Sequence, residues 1–190
     1  MEPSDEALCQ RVAKRDVAAF ELLVERYQGR AYRLAWSIVR DPEDARDLSQ
    51  EAFIRLHESA DSFGGRSKFS TWFYRIVVNL CLDHKRKRRW WKPWAGDAAD
   101  DQGESFLERQ PAPVTDPVDE LGREQTMKDL WAAVDRLAPR QRAAVVLQVR
   151  EELATYEIAE VLKCSEATVR VHLHRAMNAL KKTMKDKEKR

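Results

Sequence analysis

Apolar residues recur every three to four positions along most of this chain, the spacing of a helix with one buried face. Phe20, Leu23, Val24 and Tyr27 form one stripe, and Ala31, Leu34, Ala35 and Ile38 form another after Gly29, so two helices are expected to open the chain. Asp41-Pro42-Glu43-Asp44 then offers an N-cap, a proline suited to the first turn and early carboxylates for the positive helix end, starting a third helix that runs to about Ala60. Asp61 to Ser67 has the glycines and short polar residues of a loop. Ser67 or Ser70 is expected to cap a fourth helix carrying Trp72, Ile76 and Leu80 and ending in a basic run. No strand alternation and no internal repeat emerges, so the expected fold class is all-α.

The pattern breaks after the basic run. Pro93, Gly96, Gly103, Pro111, Pro113 and Pro117 interrupt a stretch poor in large aliphatics, which reads as a linker. Residues 93–124 carry a net charge of −7. Two small helical domains are therefore expected, over 8–91 and 118–184, with the linker over 92–117. In the second, Val118, Leu121, Leu130, Trp131, Val134 and Leu137 lie near one stripe, and three helices follow: Pro139 to about Glu151, Thr155 to about Leu162, and Glu166 to about Met184. Thr155 and Ser165 are the expected N-caps of the last two.

Composition adds limits. Of the 190 residues, 43% are apolar and 35% charged, enough for two small cores and too little for one large one. The overall charge of +2 conceals blocks of opposite sign, since residues 163–190 alone carry +6. No leader-like apolar run opens the chain and none approaches bilayer-spanning length, so no membrane insertion is expected and the location reads as cytoplasmic. Cys9, Cys81 and Cys164 are odd in number and widely spaced, which argues for reduced thiols. Cys81 and His84 are one helical turn apart but supply only half of a tetrahedral metal site, and His172 and His174 point apart on a helix, so no metal or other cofactor is expected.

Three segments carry chemistry. Residues 155–175 read as a helix-turn-helix: Ile158, Ala159 and Leu162 face inward, Val169 and Leu173 anchor the second helix, and Arg170, His172, His174 and Arg175 project where they can meet base edges or phosphates. An ordinary helical hairpin with a charged face is the plainer alternative. Lys85 to Lys92 joins five consecutive cations with Trp90 and Trp91, and follows Trp72, Phe73 and Tyr74 on the same helix; cations with aromatic faces suit an unpaired nucleic-acid strand, although such aromatics are more often core. On the third helix, Leu48, Ala52, Phe53 and Leu56 can pack inward while Asp44, Asp47, Gln50, Glu51 and Arg55 line a polar face able to meet a basic protein. No nucleotide-hydrolysis loop, nucleophile elbow or zinc-protease motif occurs, so enzymatic chemistry is not expected.

The order of these blocks, Asp44-Ala45 through Phe53-Ile54-Arg55, then Phe69 and Trp72 through Asn79, then Thr168-Val169-Arg170 through His174-Arg175-Ala176, resembles the extracytoplasmic-function sigma factors of bacterial RNA polymerase. That resemblance implies a region 2 helical bundle over 8–91 that docks on core polymerase and opens the minus-10 promoter element. It implies a region 4 helix-turn-helix over 118–184 that reads the minus-35 element as duplex. Asp44, Asp47, Gln50, Glu51 and Arg55 would face the beta-prime clamp helices, with the beta flap as a second polymerase contact. Phe63, Arg66, Lys68, Trp72, Arg75, Asn79, Lys85, Arg86 and Arg88 would serve the melted strand, and the loop 61–71 would capture a flipped base. Ser165, Thr168, Arg170, Val171, His172, His174 and Arg175 would serve the upstream duplex. An anti-sigma factor is the expected regulatory partner. His57, Arg46, Val171, His172 and Met177 depart from the usual family residues, which leaves the promoter sequence open. The acidic linker is expected either to thread a basic polymerase channel or to act as a plain tether. A conventional repressor or activator with a C-terminal helix-turn-helix is the main rival; it predicts tight duplex binding without polymerase and leaves the basic-aromatic segment unexplained.

Overall fold

A computed structural model describes residues 2–91, 127 and 130–188, without the side chains of 89–91 and 184–188. The expected linker, and the stripe residues Val118 and Leu121, lie outside the described residues. Those described form helices and connecting turns. α1 spans Asp5–Ala13, α2 Val17–Val39, α3 Pro42–Ser59 and α4 Phe69–Trp91. Residues 130–135 form α5, followed by α6 (Pro139–Val149), α7 (Thr155–Leu162) and α8 (Glu166–Glu188).

Local chemistry accounts for the boundaries. Ser4 caps α1 by accepting from the Ala7 amide at 3.2 Å, and Asp5 and Glu6 sit at its positive end. Asp16 caps α2 through the Ala19 amide, and Asp41 caps α3 by accepting from the amides of Glu43 and Asp44, with Pro42 in the first turn as expected. α1 was not expected. Nor does Gly29 divide the second stripe from the first: α2 runs through it unbroken, because one internal glycine costs only about 1 kcal/mol and the buried residues on both sides of it offset that. Neither Ser67 nor Ser70 caps α4; the carboxylate of Glu6, 63 residues away, accepts from the Phe69 amide at 3.1 Å. In the second half, Ala154 rather than Thr155 holds the N-cap position of α7, its amide donating to Glu157 Oε2 at 2.8 Å.

Helices α1 to α4 pack around an aromatic centre. Tyr27, Phe53, Phe69 and Phe73 meet at centroid distances of 5.0–5.9 Å, with Phe69 and Phe73 stacked almost parallel. Helices α6 and α7 continue that core, placing Leu147, Ile158 and Val161 in the same buried cluster, with α6 against α2 and α7 against α4. A smaller cluster of Ala133, Val134, Leu137, Ala176 and Leu180 joins α5 to α8. Cys9 and Cys81 are buried and unpaired, and burial pushes their thiols up to about 11 and about 12 respectively.

Candidate nucleic-acid interface

The first surface is built on the loop before α4. Gly65 adopts a left-handed φ of +66°, a conformation a side chain would strain, and this turn presents Arg66 to solvent. Phe63 lies half-buried on a floor made by Trp72 (5.4 Å between centroids) and Phe69 (6.1 Å). Trp72 is only 7% exposed, and Phe73 and Tyr74 are buried, so these three are floor and core, not free stacking platforms. Trp72, expected among the strand contacts, lies on the packed face, where it supports Phe63 from below. Arg75 and Asn79, one turn apart on α4, are partly exposed, as are Lys85 and Arg88, while Arg86 is exposed beside Asp83 at 3.1 Å. Lys68 is exposed, with its ammonium 3.0 Å from Glu157 of α7.

The second surface is the polar face of α3. Asp47, Gln50 and Arg55 are exposed and Glu51 partly so, with Arg55 Nε donating to Glu51 at 2.8 Å. Ile54 adds an apolar patch, 52% exposed, beside them. Asp44 is turned differently. Its Oδ2 meets His84 Nε2 and accepts from Arg88 Nη1, each at 3.0 Å, tying the start of α3 to the basic end of α4. The partner of His84 is thus a carboxylate, and among the described residues no group of three or more His, Cys, Asp or Glu side chains could hold a metal.

The third surface is the helix-turn-helix of α7 and α8. Lys163, in the left-handed region with φ 51°, turns the chain between them, and Ser165 caps α8 by accepting from the Thr168 amide at 3.2 Å. Ile158, Ala159, Leu162 and Val169 are buried as expected, and Leu173 is partly buried. The exposed side then carries Ser165, Thr168, Arg170, Val171, His174 and Arg175. His172 departs from that set: it is partly buried, its Nδ1 enclosed without a partner, and burial with nearby Arg140 and Arg175 lowers its pKa. The two basic surfaces and the acidic α3 face thus stand on separate helices of one helical body.

Comparison with known proteins agrees with this layout. Sigma-70 region 2 matches residues 23–91 and Sigma-70 region 4 matches residues 127–180. The ECF RNA polymerase sigma factor SigW of Bacillus subtilis (strain 168) is 32% identical over 177 residues, covering 93% of this chain and 95% of that protein. The ECF RNA polymerase sigma-E factor of Escherichia coli (strain K12) is 33% identical over 180 residues, covering 93% and 92%. Among solved structures, CnrH in complex with the cytosolic domain of CnrY superposes with a TM-score of 0.66 at 21% identity, covering 97% of this chain and 99% of that one. The sigma factor RpoE in complex with the anti-sigma factor NepR from Bartonella quintana gives 0.67 at 20% identity, covering 87% and 96%, and shares the fold. The chain belongs to the sigma-70 family of transcription-initiation factors, and within it to the extracytoplasmic-function (ECF) group. Among the described residues no helix is long and apolar enough to cross a membrane.

Proposed function

We propose that this sigma factor divides promoter recognition between the two surfaces described: region 2 holds one unpaired strand of the minus-10 element, and region 4 reads the minus-35 element as duplex. The observation that carries the reading is the seat of Phe63. Its half-exposed ring lies over Trp72 and Phe69 on a loop turned by Gly65, with Arg66 beside it and Arg75 and Asn79 along α4. A base extruded from the duplex can stack on the Phe63 ring, which that floor supports, while the cations meet its phosphates. Binding energy then drives melting, since a few kcal/mol or so of lost stacking is offset inside the pocket, and no bond in the protein or substrate is broken.

On α8, Arg170 and Arg175 suit guanine edges or phosphates, and Ser165, Thr168 and His174 suit phosphates or bases nearby; the exposed Val171 offers an apolar contact for a thymine methyl. The acidic surface of Asp47, Gln50 and Glu51, with Arg55, supports docking on the beta-prime clamp helices. A groove of about 530 Å³ lined by Leu130, Val149, Leu173, Met177 and Leu180 supports a helix-in-groove contact with the beta flap. Work on polymerase and DNA places the protein in the cytoplasm, under control of an anti-sigma factor.

The test places 2-aminopurine at successive nontemplate positions of a promoter bound by core polymerase and this protein. One downstream position should brighten on opening, and Phe63→Ala should abolish that signal while region 4 still protects the upstream duplex. Normal opening by the Phe63→Ala protein would overturn the pocket.

A further inference from the structure

Helix α1 lies outside the residues matched as region 2, which begin at 23, yet it holds both ends of the loop that carries Phe63. Where the loop ends, the Phe69 amide donates to Glu6 Oε1 at 3.1 Å. Where it begins, α1 packs against the short 3-10 turn Ala60–Ser62, which the Phe63 amide closes by donating to the Ala60 carbonyl at 3.2 Å. The helix is itself firmly seated. Leu8, Cys9 and Val12 are buried, and Asp5 accepts from Tyr27 Oη at 2.5 Å and from Arg26 Nη1 at 2.6 Å.

The start of α4 has no local cap. Lys68 occupies the N-cap position, its carbonyl accepting from the Trp72 amide at 3.2 Å. An ammonium side chain only donates, so it cannot satisfy the free amides of a first helical turn. Glu6 supplies the missing acceptor from another helix, and its negative charge suits the positive helix end. The residue it fixes is part of the floor beneath the base seat. Phe69 is fully buried, stacked on Phe73, edge-on to Tyr27 at 5.1 Å and 6.1 Å from Phe63. Neighbouring carboxylates of α1 thus grip the backbone of Phe69 and, through Tyr27, the ring packed against it.

We propose that α1 belongs to the strand-capturing machinery of region 2, with Glu6 as the positioning residue that fixes the loop carrying Phe63, Gly65 and Arg66. The inference rests on the reading of Phe63 as the seat of the extruded base. Glu6 acts through Phe69 and the loop and touches no nucleotide. A loop anchored at both ends is already in the conformation that receives a base, whereas a loosened one binds more weakly by the fraction of time it spends there. Charge alone predicts the opposite sign, since a carboxylate removed from the neighbourhood of a polyanion should tighten binding.

Glu6→Ala and Glu6→Gln separate these effects, because both remove the charge and only glutamine keeps the acceptor oxygen. With each variant assembled on core polymerase, anisotropy of a labelled minus-10 nontemplate strand should show a loss of about fivefold for Glu6→Ala, the effect of a lost helix cap, and a change within about twofold for Glu6→Gln. Affinity for core polymerase and for the upstream duplex should stay the same in both. Amide hydrogen exchange over residues 61–69 should speed up in Glu6→Ala and match the parent in Glu6→Gln. Ile38→Val, in the core about 16 Å along α2 from the Tyr27 that meets Phe69, removes comparable stability and should leave strand affinity unchanged. Equal or tighter strand binding by Glu6→Ala overturns the anchor, as does a loss of the same size in Glu6→Gln or in Ile38→Val. Phe63→Ala measured beside them tells the two failures apart. If it weakens strand binding while Glu6→Ala binds fully, only the anchor falls; if Phe63→Ala itself binds fully, the base seat falls and the anchor with it.

Discussion

Asp44→Asn separates two roles that sequence reasoning had merged. The resemblance sets Asp44 on the polymerase face of α3, whereas the structure engages its Oδ2 with His84 and Arg88 of α4, each at 3.0 Å. The three side chains are between 25% and 38% exposed, so solvent screens the contacts and the clasp contributes about 1 kcal/mol in total, not the larger value of a buried pair. For a chain of 190 residues packed as one helical body that corresponds to a fall in melting temperature of about 2–4 °C. Asparagine keeps the shape and the α3 cap, which is supplied by Asp41, while losing the charge that orients Arg88. The variant should therefore melt a few degrees lower and bind downstream single strand with a steeper salt dependence, because Arg88 is released toward phosphate, while its affinity for core polymerase, measured by fluorescence anisotropy, stays within about twofold. An unchanged melting temperature together with a large loss of core affinity would refute the clasp and restore Asp44 to the polymerase face.

Phe73 is fully buried amid Tyr27, Phe53 and Phe69, so Phe73→Ala should cost about 3–5 kcal/mol and leave region 2 largely unfolded by circular dichroism at 37 °C. A thiol reagent at pH 8 should label Cys164 first, because it is partly exposed, and reach Cys9 and Cys81 only on unfolding; their burial keeps both thiols protonated at that pH. His172 has its pKa lowered below the ordinary 6.5 in the folded protein, so the unfolded chain takes up its proton more readily. The stability this provides is present above about pH 6.5 and is lost as pH falls from there through the lowered value. Thermal melts should show region 4 weakening over that window, and His172→Gln should flatten the dependence.

Much of this was legible from spacing alone. The helix-turn-helix was readable because the buried Ile158, Leu162 and Val169 obey helical periodicity and Ser165 is a local cap, and the start of α3 was readable because Asp41 and Pro42 act within one turn. What escaped was non-local. No window of sequence pairs Glu6 with the amide of Phe69, Asp44 with Arg88, or Glu157 with Lys68, since these partners are brought together by packing. Gly29 misled because propensity was given more weight than the apolar residues it lies between. α1 had a signal that went unused: Ser4, followed by Asp5 and Glu6, precedes Leu8, Cys9 and Val12 at helical spacing. Trp72 and its neighbours looked alike in sequence as core or as nucleic-acid contacts, and only their burial separates the two.

The most direct test of the whole account is promoter-dependent transcription by purified core polymerase, with and without this protein, on a library of genomic promoters, reading strand opening and RNA start sites together. Starts that require the protein, with opening confined to the downstream element and protection of an upstream duplex, are the predicted result. Specific duplex binding by the protein alone, with no protein-dependent starts, would contradict it.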